Sequence, residues 1–184
     1  MDAKTLDIVK AGWAMFARYG FAKTTMSDIA TEAGVARQTV YNAFSSKEEV
    51  LRAVVRHAGK ESLDMIQQEW AKGGTVSDKL AAFHKYGPVS WYEAMMSAPD
   101  WAELMDGVHK ATAGELAELE RIWVAALAEV LDGSSSKGRE DAEEIAHFFY
   151  TTSKNAKFGV RDVEDLKQRL RVILRATEAM LSAR

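Results

Sequence analysis

Cysteine is absent from all 184 residues, which excludes disulfides and thiolate metal sites and points to a reducing compartment. Only two prolines occur, and few stretches alternate apolar and polar residues with a period of two, so the chain reads as all-α. No apolar run approaches the roughly 20 residues that span a bilayer, and the N-terminus lacks the apolar centre of a signal peptide. The expectation is a soluble, cytoplasmic protein without membrane contact. The histidines, at 57, 84, 109 and 147, do not pair at metal-ligand spacing. No HExxH, P-loop, GxSxG or dinucleotide GxGxxG is present. The adjacent pairs Glu48-Glu49 and Glu143-Glu144 point to different helix faces and read as solvated. No catalytic residue, cofactor or metal ligand is assigned, and the chain does not read as an enzyme.

What is present is an ordinary globular composition, 47% apolar, with a formal charge of −3. The charge is uneven. Residues 1–56 hold eight Lys and Arg against six Asp and Glu, so this part carries +2 and the remainder −5. That asymmetry suits contact with phosphate through the N-terminal part alone.

The informative stretch runs from Lys23 to Leu51. Thr25 caps a short helix from Met26 to Ala33, with Asp28 in the capping-box position and Ile29, Ala30 and Ala33 at helical spacing. Gly34 supplies a turn that needs positive φ. A second short helix follows from Arg37 to Phe44, and Ser46-Lys47-Glu48-Glu49 opens a third with a capping box. Two short helices about a glycine turn form a helix-turn-helix, whose second helix enters the DNA major groove. At about 100° per residue, Val40 and Phe44 face the core while Gln38 and Asn42 point away from it. Both amides can pair bidentately with adenine N6 and N7. Thr39 and Tyr41 flank that edge, and Arg37 lies in the first turn. Taken alone, this helix reads equally well as a polar surface helix.

Thr24-Thr25, Asp28-Ile29-Ala30, Ala33-Gly34-Val35, Thr39-Val40-Tyr41, Phe44 and Ser46-Lys47-Glu48 together closely resemble the N-terminal signature of the tetracycline-repressor (TetR) family of transcription regulators. The resemblance implies that Tyr41 and Lys47 grip phosphates, that Thr24 and Thr25 contact DNA at their helix start, and that Arg37, Gln38, Thr39 and Asn42 stand on the base-reading helix. Position 36, commonly Ser in the family, is Ala here, which removes a helix cap worth about 1 kcal/mol.

Upstream, residues 4–19 form an amphipathic helix with Ile8, Val9, Gly12, Trp13, Phe16 and Tyr19 in one stripe, ended by Gly20. Downstream, a long helix from Ser46 to Trp70 carries Leu51, Val54, Val55, Ala58, Ser62 and Met65. The expected division is a DNA-binding domain over 1–46 and an effector-binding and dimerisation domain over 47–184, with about nine helices in all. Gly73-Gly74-Thr75 breaks the long helix, Gly87-Pro88 kinks the next, Pro99 opens a short one, and Glu115 to Leu131 is amphipathic. Phe83, His84, Trp91, Met95, Met96, Trp101, Met105, His109 and Trp123 crowd the middle third. Such a set either lines an apolar cavity or is plain core. The resemblance implies an effector pocket here, for an unidentified and mostly apolar small molecule.

Beyond the flexible segment 132–138, two helices carry a heptad-like seam. Ala142, Ile145, Phe149, Thr152 and Ala156 line the first; Val163, Leu166, Leu170, Ile173, Thr177 and Met180 line the second. A seam of this kind pairs with a second copy in a four-helix bundle or packs inside its own chain. By the resemblance the last two helices form a homodimer interface, with Ile145, Phe149, Thr152, Leu166, Leu170, Ile173 and Thr177 as its candidates. The expected protein is a homodimeric repressor that binds a palindromic operator through two recognition helices one helical turn (about 34–36 Å) or a little more apart. The competing classes are a regulator of the same fold without a small-molecule effector, and a helical carrier or enzyme containing an incidental helix-turn-helix.

Overall fold

The computed structural model describes residues 1–96, 112–132 and 139–182, with the backbone alone described at 95, 139 and 140. Trp101, Met105 and His109, the short helix expected after Pro99 and the loop over 133–138 lie outside the described residues. Every regular element among the described residues is helical. By contact the chain divides into two units. Met1–Lys60 joins the described residues between Met95 and Ala117, and Glu61–Ala94 joins Glu118–Arg184.

In the first unit, α1 spans Ala3–Tyr19, with Asp2 accepting from the Thr5 amide at 2.7 Å. Gly20 ends it at φ 80° while its own N–H bonds Phe16 O. The buried stripe is Ile8, Val9, Ala11, Gly12, Met15 and Phe16. Trp13 and Tyr19, expected in that stripe, are 37% and 47% exposed. Trp13 lies about 100° around the helix from Gly12, which places it at the edge of the packed face. Helix α2, Met26–Glu32, carries the expected capping box, with Thr25 and Asp28 each bonding the other's backbone N–H. Gly34 turns the chain at φ 65°, and Val35 N–H returns to Ala30 O. Helix α3, Arg37–Ala43, buries Val40 and starts at Ala36 without a side-chain cap.

Helix α4, Lys47–Ala71, begins after Ser46, whose Oγ accepts from Glu49 N at 3.3 Å. The reciprocal half of the expected capping box is displaced by one residue, because the Glu49 carboxylate accepts from Ser45 N and Ser45 Oγ at 2.7 Å each. Val50, Leu51 and Val54 of α4 are buried, as are Ile29, Val40 and Phe44 of the three-helix head. A Cβ on Gly12 would stand 2.6 Å from Val50 Cγ1, so α1 and α4 approach each other where only glycine fits. A boundary between 46 and 47 would cut α4 away from the helices it covers.

In the second unit, Ile66 is fully buried and Met65, expected inward, is 48% exposed. Helix α5, Val76–His84, starts with a Thr75/Asp78 capping box after Gly73 and Gly74 at φ 91° and 108°. The kink expected at Gly87-Pro88 is a π-helical turn, Lys85–Val89, that leads directly into α6, Ser90–Met96. A π turn lets a helix pass a proline that has no N–H to donate. Helices α7 (Ala113–Asp132), α8 (Arg139–Asn155) and α9 (Val163–Ser182) complete the core around Leu80, Leu127, Leu131, Phe149, Leu166 and Leu170. No helix of the described residues is long and apolar enough to cross a membrane.

Candidate nucleic-acid interface

Helix α3 has one buried residue, Val40, and presents the rest of its short length outward. Arg37, Gln38, Tyr41 and Asn42 are exposed and Thr39 is partly so. The outward side chains are paired one turn apart. Gln38 Nε2 donates to Asn42 Oδ1 at 2.9 Å, and Arg37 Nη2 donates to Tyr41 Oη at 3.2 Å with its guanidinium 5.2 Å from the Tyr41 ring centroid. The amide pair still offers Gln38 Oε1 as an acceptor and Asn42 Nδ2 as a donor. These are the two functions that an adenine edge requires. The Arg37–Tyr41 stack holds a cation and a hydroxyl beside them, a combination suited to phosphate.

Thr25 is exposed at the start of α2, with its Oγ1 donating to Asp28 Oδ2 at 2.7 Å. Those bonds hold the Asp28 carboxyl below its ordinary pKa, with the Thr25 side-chain bond the larger cause. Thr24 requires a correction. It is 1% exposed, and its hydroxyl donates inward to Gly20 O at 2.8 Å, so it secures the α1–α2 turn instead of facing DNA. Lys47 requires another. Its Nζ donates to the carbonyls of Phe21, Ala22 and Thr24 at 2.9, 3.1 and 3.2 Å, and lies 4.6 Å from the Phe21 ring centroid. An ammonium has three donors, and here all of them close the loop ahead of α2. The spacing of Lys47 in the sequence gave no sign of that loop, 25 residues upstream.

The central set is split. Phe83, His84 and Trp123 are buried at 4%, 6% and 7% exposure. Phe83 meets Trp123 edge-on at 5.3 Å and Phe149 at 5.5 Å, and His84 stacks on Phe149 at 4.7 Å. Burial lowers the His84 pKa to about 4, and its Nε2 shares a 2.8 Å hydrogen bond with the buried Ser153 Oγ. Ser153 was not anticipated, since a lone serine in an apolar stripe carries no periodic signal. Trp91 is half-buried and Met96 is 69% exposed.

The expected dimer seam also requires correction. Ile145, Phe149, Leu166, Leu170, Ile173 and Thr177 are all at or below 9% exposure within a single chain. Their stripe faces the chain's own core, where Phe149 packs on Phe83 and His84. Thr152 alone of the set stays half-exposed. The outward faces of the same helices carry Phe148 at 37% and Val172 at 52% exposure, and Gln168, Arg171, Val172, Leu174 and Arg175 line a surface depression.

Comparison with known proteins agrees with the head's geometry. Residues 8–54 match the family of bacterial regulatory proteins, tetR family. Over 85 residues the chain is 34% identical to YfiR, an uncharacterized HTH-type transcriptional regulator of Bacillus subtilis; the match covers 43% of this chain and 42% of that protein. The chain thus spans less than half the length of the curated relatives it matches. Among solved structures, a transcriptional regulator from Cytophaga hutchinsonii superposes with a TM-score of 0.74 over 98% of each chain at 20% identity. A fatty acid degradation regulator from Bacillus halodurans superposes with a TM-score of 0.64 at 20% identity, over 98% of this chain and 95% of its own. At that identity the likeness is one of fold.

Proposed function

Residues 8–54 belong to the tetR family of bacterial regulatory proteins, and on that footing we propose that the chain is a sequence-specific DNA-binding transcription regulator, a repressor released by a small, mostly apolar effector. The observation that carries this reading is the outward face of α3. Its Gln38–Asn42 and Arg37–Tyr41 pairs are exposed on a helix that the head anchors through Val40 alone. Two such helices from a homodimer would enter successive major grooves of a palindromic operator. Tyr41 and Arg37 would hold phosphate, and Gln38 and Asn42 would read adenine. Thr25 remains a candidate phosphate contact, whereas Lys47 supports the head from within.

The dimer would form through the outward faces of α8 and α9, around Phe148, Thr152 and Val172, in place of the buried seam. The effector would enter beside the Phe83–Trp123 cluster, with His84 as its neutral polar partner. The fatty-acid relation named for the Bacillus halodurans protein supports an acyl compound. The protein would act inside the cell, where its operator lies.

Selection of bound duplexes from a random DNA pool, at near-physiological salt, tests the reading. The expected product is a palindromic motif with adenine at one or two positions of each half-site. Recovery of no motif from the ligand-free protein would sink it. A melting-temperature screen with fatty acids and aromatic compounds tests the effector; the absence of any shift would favour a regulator controlled by a protein partner.

A further inference from the structure

The outward face of α3 consists of two columns of side chains, each closed by a bond from one turn to the next. In one, Gln38 Nε2 donates to Asn42 Oδ1 at 2.9 Å. In the other, Arg37 Nη2 donates to Tyr41 Oη at 3.2 Å, with the guanidinium 5.2 Å from the ring centroid. All four side chains are exposed, so these bonds order in advance a face that would otherwise lose rotamer freedom on meeting DNA. They also change what the face can donate. A primary amide has two N–H donors and one carbonyl acceptor. Gln38 spends one donor on Asn42, which leaves one N–H and Oε1. Adenine presents one acceptor and one donor in the major groove, N7 and N6–H, and that remainder matches it. Guanine presents two acceptors, N7 and O6. A free glutamine amide can turn both hydrogens to them. A glutamine held by Asn42 cannot, and its Oε1 would meet O6 as one acceptor against another. Arg37, the only cation of α3 and the residue type best suited to guanine, is stacked on Tyr41.

We propose that Asn42 is a positioning residue that sets specificity against guanine. It acts through Gln38: by accepting one Nε2 hydrogen it leaves an amide that pairs with adenine at two points and with guanine at one. A half-site position read by Gln38 is then adenine in preference to guanine, although glutamine alone would tolerate either purine. The device lies within one helix and is set before DNA arrives. This rests on the regulator reading given above and adds the residue that decides between the purines.

Competition titrations of the full chain, with duplexes that carry adenine or guanine at a single position of the selected motif, read the purine preference directly. Gln38→Ala first marks which half-site position depends on Gln38. At that position Asn42→Leu, which fills similar space without an acceptor, should lower the adenine-over-guanine ratio by about three- to tenfold. Asn42→Asp keeps an acceptor in the same place and should hold the ratio near its native value, even though its charge weakens binding to every duplex alike. In a Gln38→Ala background, Asn42→Leu should leave the ratio where Gln38→Ala set it. An unchanged ratio in Asn42→Leu, or an equal loss in Asn42→Asp, overturns the positioning role. A ratio that Asn42→Leu still lowers in the absence of Gln38 overturns it too, since Asn42 would then be reading the base itself. If Gln38→Ala moves no position, base reading by Gln38 fails; if the native protein selects no motif, the regulator reading fails. In either case this proposal falls with it.

Discussion

Lys47 shows how one side chain's partner decides its role. A lysine four residues past a recognition helix would ordinarily be assigned to phosphate, and its removal would lower the salt slope of binding by about 1. With all three donors on the carbonyls of Phe21, Ala22 and Thr24, Lys47 has no donor to spare without opening that loop. Lys47→Met is therefore expected to destabilise the head by roughly 1 kcal/mol, since three loop carbonyls, two of them partly buried, lose their donor, while the salt slope stays near the native value. Arg37→Ala should do the reverse. Urea unfolding and DNA titrations at several salt concentrations separate the two, and a lowered slope for Lys47→Met would restore the phosphate assignment. Ala36 offers a complementary gain: Ala36→Ser should add about 1 kcal/mol by capping α3, read as a higher urea midpoint at an unchanged slope.

His84 carries a pH dependence that follows from its burial. Its folded pKa, about 4, lies below the 6.5 of an unfolded histidine. Between those values the unfolded chain binds the proton and the folded chain does not, so stability falls as pH drops from 6.5 towards 4 and levels off below. The full effect is on the order of 3 kcal/mol, taken at 1.36 kcal/mol per pKa unit. His84→Gln can keep a hydrogen bond to Ser153 and should lack this component, so the native-minus-variant stability should slope with pH only in that window. A parallel pair of pH profiles would show His84 to be solvated or already charged.

Among the elements, α1 and α3 show what sequence periodicity conveys. The three-helix head was legible because its signals are local: the Thr25/Asp28 capping box, Gly34 at positive φ, and Val40 and Phe44 one turn apart. What α3 does with its outer side chains was legible as a direction only; the Gln38–Asn42 and Arg37–Tyr41 pairs needed coordinates, because an outward face can pair with itself or stay open. Gln38→Ala should relax preference at one half-site position at a cost of about 1–3 kcal/mol, and an unchanged selected motif would remove Gln38 from base reading. In α1, Gly12 sits in the stripe because α4 passes too closely for a Cβ. Gly12→Ala, 2.6 Å from Val50 Cγ1, should cost about 1–3 kcal/mol from overpacking, and Val50→Ala in the same chain should relieve part of it. The heptad stripes of α8 and α9 were equally visible and still misled. Period alone marks a face as buried and cannot name what buries it, and here the chain's own α5 and α7 aromatics do so.

At the scale of the whole molecule, that same burial bears on the dimer interface proposed above. With Phe149, Leu166 and Leu170 spent inside the chain, the outward faces of α8 and α9 remain, and on them Phe148, Val172 and Met180 are exposed large apolar side chains. Arg171 and Arg175 flank Val172 on α9, and Glu144 lies one turn from Phe148 on α8, so a two-fold arrangement can set basic against acidic positions around an apolar centre. Val172→Glu would place a carboxylate in that centre and remove its apolar contact. The expected result is a folded monomer with a native helical signal, seen by sedimentation at micromolar concentration. Each head would then bind alone. Joining two heads raises apparent affinity by about 10²–10⁴ through effective concentration, so the variant should lose the palindrome by a factor of that order while its weak affinity for single half-sites stays the same. A Val172→Glu protein that remains dimeric would move the interface off α9. A monomer that held the palindrome with native affinity would mean that one head suffices, and the two-fold operator would no longer follow.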